Sequence, residues 1–257
     1  MRSSAIALCI AALTLPTSVQ AQSIFDTLKG LKNTVETLTG KSDKHSASSI
    51  VHEADDGTIR YNVGSFDVAG IALGMTPMDV REIMKNRGFS INEKSVPERF
   101  TFAGLAKSEA ERLMQPLPAV PAIAGPEEIF GRDEGRNTLS VGFIQTRAGP
   151  RVSHVRLTFD RDTNDIGRLE ADLTEAYGRP SRKMLASYGS HWCSVGGMAT
   201  CDLLPDPHAP KLEYVDSVLV TLTLSNAQAM NSARDSEVAA LFQKPGGQRQ
   251  KALLSGS

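Results

Sequence analysis

The sequence predicts an α+β protein: an antiparallel sheet with helices packed on one face. Three observations lead there. GIALGMTPMDVREIMKNRGF (residues 70–89) carries a complete set of helix start and stop signals. Residues 139–147 and 151–160 alternate apolar and polar around Ala148-Gly149-Pro150, the pattern of a hairpin. IGRLEADLTEAYGRP (166–180) is a second amphipathic helix with a Gly-Pro stop, again followed by strand-like runs. Helix, glycine stop and strands thus occur twice, which suggests a pseudo-duplicated helix-plus-strands unit.

In chain order, the first residues read as a secretory leader. Arg2 is the positive start, residues 5–15 are apolar, and Val19-Gln20-Ala21 is a small-x-small cleavage site. Cys9 sits inside the apolar run, so no lipid-anchor cysteine follows cleavage. Residues 1–21 are therefore assigned as a signal peptide. Residues 22–40 form an amphipathic helix, with Phe25, Leu28, Leu31, Val35 and Leu38 at three- and four-residue steps. Its apolar stripe, residues 24–38, suits weak contact with a membrane surface or a partner, or packing on its own domain. Residues 41–58 are Ser-, Asp- and Lys-rich and read as a flexible linker.

The α+β domain spans 59–225. Residues 61–69 are strand-like and broken by Gly64. In the helix that follows, Thr76 is the N-cap, Pro77 the first helical residue, and Asp79 sits at the positive end of the dipole. Val80, Ile83 and Met84 share a face, and Gly88 ends the helix in a left-handed turn. A short strand follows within 90–102, then a helix over 105–114. Four prolines make 116–126 an extended loop, a composition that would also suit an aromatic-lined groove. Beyond the hairpin, Ile166, Leu169, Leu173 and Tyr177 trace the buried stripe of the second helix. Residues 184–192 read as a strand, 193–201 as a Gly-rich turn and 203–210 as loop. Residues 212–224 read as one long strand, with Val218, Val220, Leu222 and Leu224 on its apolar side. Residues 226–257 are a C-terminal helix or a disordered tail.

The charge balance excludes one class of partner. Removing residues 1–21 removes one Arg and no acid, leaving 27 basic against 29 acidic residues. That gives no electrostatic footprint for nucleic acid. No later segment is apolar for long enough to span a bilayer.

GIALGMTPMDVREIMKNRGF resembles the Gly-Met-Thr-x-x-x-Val helix opening of small exported α+β domains in proteobacteria. These include the small outer-membrane assembly lipoproteins and the β-lactamase-inhibitor-protein-like fold. AYGRPS followed by Trp192-Cys193 and Cys201 is similar to the second half of uncharacterised exported bacterial proteins. The resemblance implies a binding or scaffolding role. The lipid-anchor cysteine of the assembly lipoproteins is missing here, and this chain is longer than their single domain.

Candidate site residues are few. Cys193 and Cys201, in a compartment that permits disulfides, are expected to pair and staple the Gly196-Gly197 turn. A loop of that length contributes about 2.5 kcal/mol by the chain-entropy estimate. The alternative is a zinc site from His191, Cys193, Cys201 and His208, whose spacing matches none of the common structural zinc patterns. DRDTND (160–165) fits a calcium loop at Asp160, Asp162 and Asn164, but Asp165 stands where Gly is needed and Ala171 where Glu belongs. It is read as a polar turn into the helix. GxSxG, HExxH, P-loop and dinucleotide motifs are missing from the sequence, and no cofactor is expected.

The expected function is therefore that of an exported, periplasmic binding module in the cell envelope, its partner another envelope protein. The wet strand face bearing His154, Arg156, Thr158, Thr221 and Thr223 is the expected partner surface. Two rivals stand beside it: a small exported hydrolase with a site near His191 and His208, and a secreted factor that binds another protein.

Overall fold

The computed structural model describes residues 50–53, 59–184, 189–194 and 209–243. The expected leader, the helix of 22–40, Cys201, His208 and the tail after 243 lie outside them. The fold is α+β.

Helix α1 (Pro77–Asn86) is capped as its sequence dictates. The Asp79 N–H donates to Thr76 Oγ1, and the Thr76 N–H donates to Asp79 Oδ2 at 2.9 Å, a closed capping box. At the other end Gly88 takes φ +76°. The Phe89 N–H reaches Met84 O and the Gly88 N–H reaches Lys85 O, which satisfies the last carbonyls. Just upstream, β3 (Asp67–Val68) and β4 (Ile71–Ala72) form a small hairpin over Ala69 and Gly70, both left-handed.

After α1 the chain builds an antiparallel meander of β5 (Ser90–Ser95), β6 (Pro126–Arg132), β7 (Thr138–Thr146) and β8 (Gly149–Phe159). Helix α2 (Phe102–Leu113) is inserted between β5 and β6. After α3 (Ile166–Tyr177) a second meander follows: β9 (Arg182–Met184), β10 (Gly189–Ser194), β11 (Lys211–Asp216) and β12 (Val220–Ser225). The two meanders run inward from opposite sides and meet where β8 pairs β12, from Val220↔Phe159 to Ser225↔His154. Each half is a covering helix followed by strands. On the far side β2 (Ile59–Tyr61) pairs β10 in parallel, and β1 (Ile50–Glu53) pairs β2. The chain ends its described course in α4 (Ala227–Ala240).

Alternation along these strands places the core. Ile129, Leu139, Val141, Val155, Leu212, Leu222, Leu224 and Trp192 point to one side. There they meet Val80 and Met84 of α1, and Leu169, Leu173 and Tyr177 of α3. Helix α1 is also strapped down at its start: the Gly74 N–H donates to Val152 O and the Val152 N–H to Met75 O, both at 2.9 Å. The other helix pair packs elsewhere. Phe102, Ala106 and Ala110 of α2 and Val238 of α4 are buried outside that cluster. Ile144 is too, and alternation turns it away from Phe143. Helices α2 and α4 touch each other, and α4 touches β7 and β8. This pair covers the β7–β8 hairpin end of the sheet's reverse face.

The α+β class holds, but α2 and α4 lie on the reverse face where helices were expected on one face only. Three more details differ from the sequence reading. Residues 212–224 fall in two strands, because Ser217, Val218 and Leu219 turn the chain. Val218 is then 92% exposed at the tip instead of lining the apolar side. Residues 184–192 likewise belong to two strands, β9 and β10. Ile50–Glu53, inside the expected linker, pairs with β2.

Candidate interaction face

The reverse face of the sheet is polar by the same alternation that makes the other face apolar. Arg156 sits opposite Thr223, Thr158 opposite Thr221, and His154 opposite Ser225. The five residues expected to form a partner surface therefore stand side by side on β8 and β12, at mid-sheet. None is buried, and Arg156 is exposed.

Register extends this patch across the sheet. One row reads Arg182, His191, Glu213, Thr223, Arg156, Ser140, Phe130 and Asn92, passing from β9 to β5 without a buried member. Beside it Thr138, Thr158 and Thr221 form a run of hydroxyls. On the other side lie Glu128, Gly142 and His154. Gly142 is required there: a Cβ would stand 1.9 Å from His154 Cε1, so the imidazole lies flat across the glycine. Burial, helped by the Arg156 charge and opposed by Glu128, holds the His154 imidazolium below its usual range. The Ser140 hydroxyl donates to the Glu128 carboxylate.

His191 Nε2 lies 3.1 Å from Glu213 Oε1, and Lys211 Nζ lies 3.7 Å from its other oxygen. His191, with Lys211 beside it, holds the Glu213 carboxyl below the ordinary carboxylate range against the opposing effect of burial. A depressed folded-state pKa stabilises the fold above the unfolded value, near 4.3, and that contribution is lost as pH falls through the folded pKa. Glu213→Gln should thus cost up to about 1 kcal/mol at pH 7 and clearly less near pH 3. Urea titrations at the two pH values check this; an unchanged cost at low pH would refute the pairing.

The zinc alternative is only partly described. His191 and Cys193 point to the same face from β10, while Cys201 and His208 lie outside the described residues. Among the described residues no group of three or more His, Cys, Asp or Glu side chains is arranged to hold a metal. The DRDTND turn is held by protein cations: Arg136 Nη2 bonds Asp160 at 2.8 Å and Asp162 at 2.7 Å. Asp165 is the N-cap of α3.

On the core side a cavity of about 50 Å³ lies between α1, α3 and the β6–β7 turn, bordered by Arg87, Phe89, Asp133, Asn137 and Tyr177. Ligand pockets are typically several hundred Å³, so this one holds little more than water. Nearby, burial raises the Asp67 carboxyl above its usual range, while the Gly70 N–H and Arg87 pull it back. No described helix is long and apolar enough to cross a membrane.

Sequence reading missed Phe130. It is 38% exposed in the middle of β6, next to fully buried Ile129. Two adjacent apolar residues do not reveal which of them faces water. No family model, curated protein or solved structure matches the chain.

Proposed function

We propose that this chain is an exported, periplasmic binding module of the cell envelope that meets its partner through the polar face of the sheet. One observation carries the reading. Arg156, Thr158, Thr221 and Thr223, with His154 at their end, form a contiguous unburied patch on the two central strands, where a sheet has no free edge. Central strands with one solvated face offer a rigid, preorganised surface, which lowers the ordering cost of binding. Export is supported by Arg2, the apolar run of 5–15 and the site ending at Ala21. The oxidising compartment that follows supports a Cys193–Cys201 bridge. The hydrolase reading gains less, since His191 Nε2 is buried 3.1 Å from Glu213 and is not turned to solvent.

The test uses the full chain in an envelope-bearing host. It should be recovered from the periplasm with Gln22 as its first residue and no thiol open to maleimide. A photo-reactive phenylalanine in place of Thr158 should cross-link it to an envelope component. Arg156→Glu with Thr221→Lys should abolish that cross-link while shifting stability by no more than about 1 kcal/mol. Cross-linking that survives the double substitution would remove this face as the binding surface.

A further inference from the structure

We infer that the row centred on Phe130 and Arg156 is a binding track for a linear polysaccharide. The inference rests on the binding reading of this face and names the ligand class. A sugar ring offers two kinds of surface: a rim of hydroxyls that both donate and accept, and a flat face of C–H groups. Planar polar side chains match the first and an aromatic ring matches the second.

The row supplies both. Phe130 presents its ring to solvent from mid-strand, with Asn92 on one side of it, Ser140 on the other and Arg156 beyond. Glu128, one pleat along β6 on the same face, adds a carboxylate already oriented by the Ser140 hydroxyl. Further on, the Glu213 carboxylate stands beside His191, whose Nε2 is buried 3.1 Å from it.

Composition separates this ligand from other polymers. Phe130 is the one apolar residue among the eight of the row, whereas a protein hot spot seats its aromatic anchor in a well-packed, desolvated pocket. The row mixes Arg156 with Glu213, so it has no single-sign field for a polyanion. Shape points to a chain and not a small molecule. No residue of the row is fully buried from β9 to β5, with strands about 4.8 Å apart, so a rod lying across the strands meets a polar side chain at every step but the Phe130 ring.

Two probes test this with the full-length exported chain: protein-free murein sacculi in co-sedimentation, and soluble chitohexaose in calorimetric titration. The wild type should sediment with sacculi and bind chitohexaose. Phe130→Ala and Arg156→Ala should each weaken both by at least about tenfold, the weight of a hot-spot truncation. Their circular dichroism and unfolding midpoints should stay close to wild type. Glu175→Ala, exposed on α3 across the sheet from this face, should change binding less than twofold. Failure of the wild type to bind either probe overturns the inference, as does a Phe130→Ala chain that binds as well as wild type. If the Thr158 cross-link to an envelope protein is still present in that case, the binding module stands and its ligand is a protein.

Discussion

Trp192→Ala should lower the unfolding free energy by about 4 kcal/mol, the middle of the range for a buried aromatic cut to a methyl. Trp192 is fully buried on β10 among the residues that α3 covers. Its ring meets the edge of Tyr177, with centroids 6.0 Å apart and planes at 65°, a geometry that adds to simple area burial. Its indole N–H donates to Gly178 O at 2.9 Å. Truncation leaves a cavity the size of two fused rings and deprives that carbonyl of its partner, so the packing and polar losses act in the same direction. A shift in the urea midpoint with unchanged slope is the expected signature. A loss under about 1.5 kcal/mol would mean that β10 is not packed as described.

Gly178→Ala should cost about 3 kcal/mol through a different mechanism. Gly178 closes α3 with φ +83° and ψ +177°, backbone that is essentially reserved for glycine, and forcing another residue there costs about 1–3 kcal/mol. A Cβ would also stand 2.9 Å from the Tyr61 hydroxyl, which is committed to Arg179 O. The two substitutions share the Gly178 carbonyl, so the double variant should lose less than the sum of the two. Full additivity in a double-mutant cycle would separate them and contradict the shared bond.

The parts of the fold written in local signals are legible in the sequence. Thr76, Asp79 and Gly88 act through bonds that span only a few residues, and their spacing alone defines the helix. The β7–β8 hairpin was legible for the same reason, since alternation and a turn are both local. Alternation also sorted Arg156 from Val155 and Thr223 from Leu222, so the polar patch could be named by residue. What failed needed partners far along the chain. Residues 217–219 turn the chain so that β12 pairs β11 on one side and β8 on the other, and the apolar run of Val218, Leu219 and Val220 hides that turn. Strand β6 begins at a proline and sets Ile129 beside Phe130, which hides its period, so the ring most exposed on the polar face stayed out of the candidate site. Ile50–Glu53 has no apolar run of its own and is a strand through its pairing with β2.

The meeting of the two meanders at β8 and β12 also bears on how the chain finds its fold. Within each meander the strands pair with near neighbours in sequence, so their contacts close short loops and can form early. Pairing Thr158 with Thr221 closes a loop of about sixty residues that contains all of α3 and the second meander, and its entropic cost falls on that one step. At one margin the parallel pairing of β2 with β10, Arg60 with Cys193, closes a longer loop of about 130 residues, so the topology places slow, non-local steps at the seam and at that margin. The residues proposed to meet a ligand are therefore also those whose alignment depends on completion of the whole sheet.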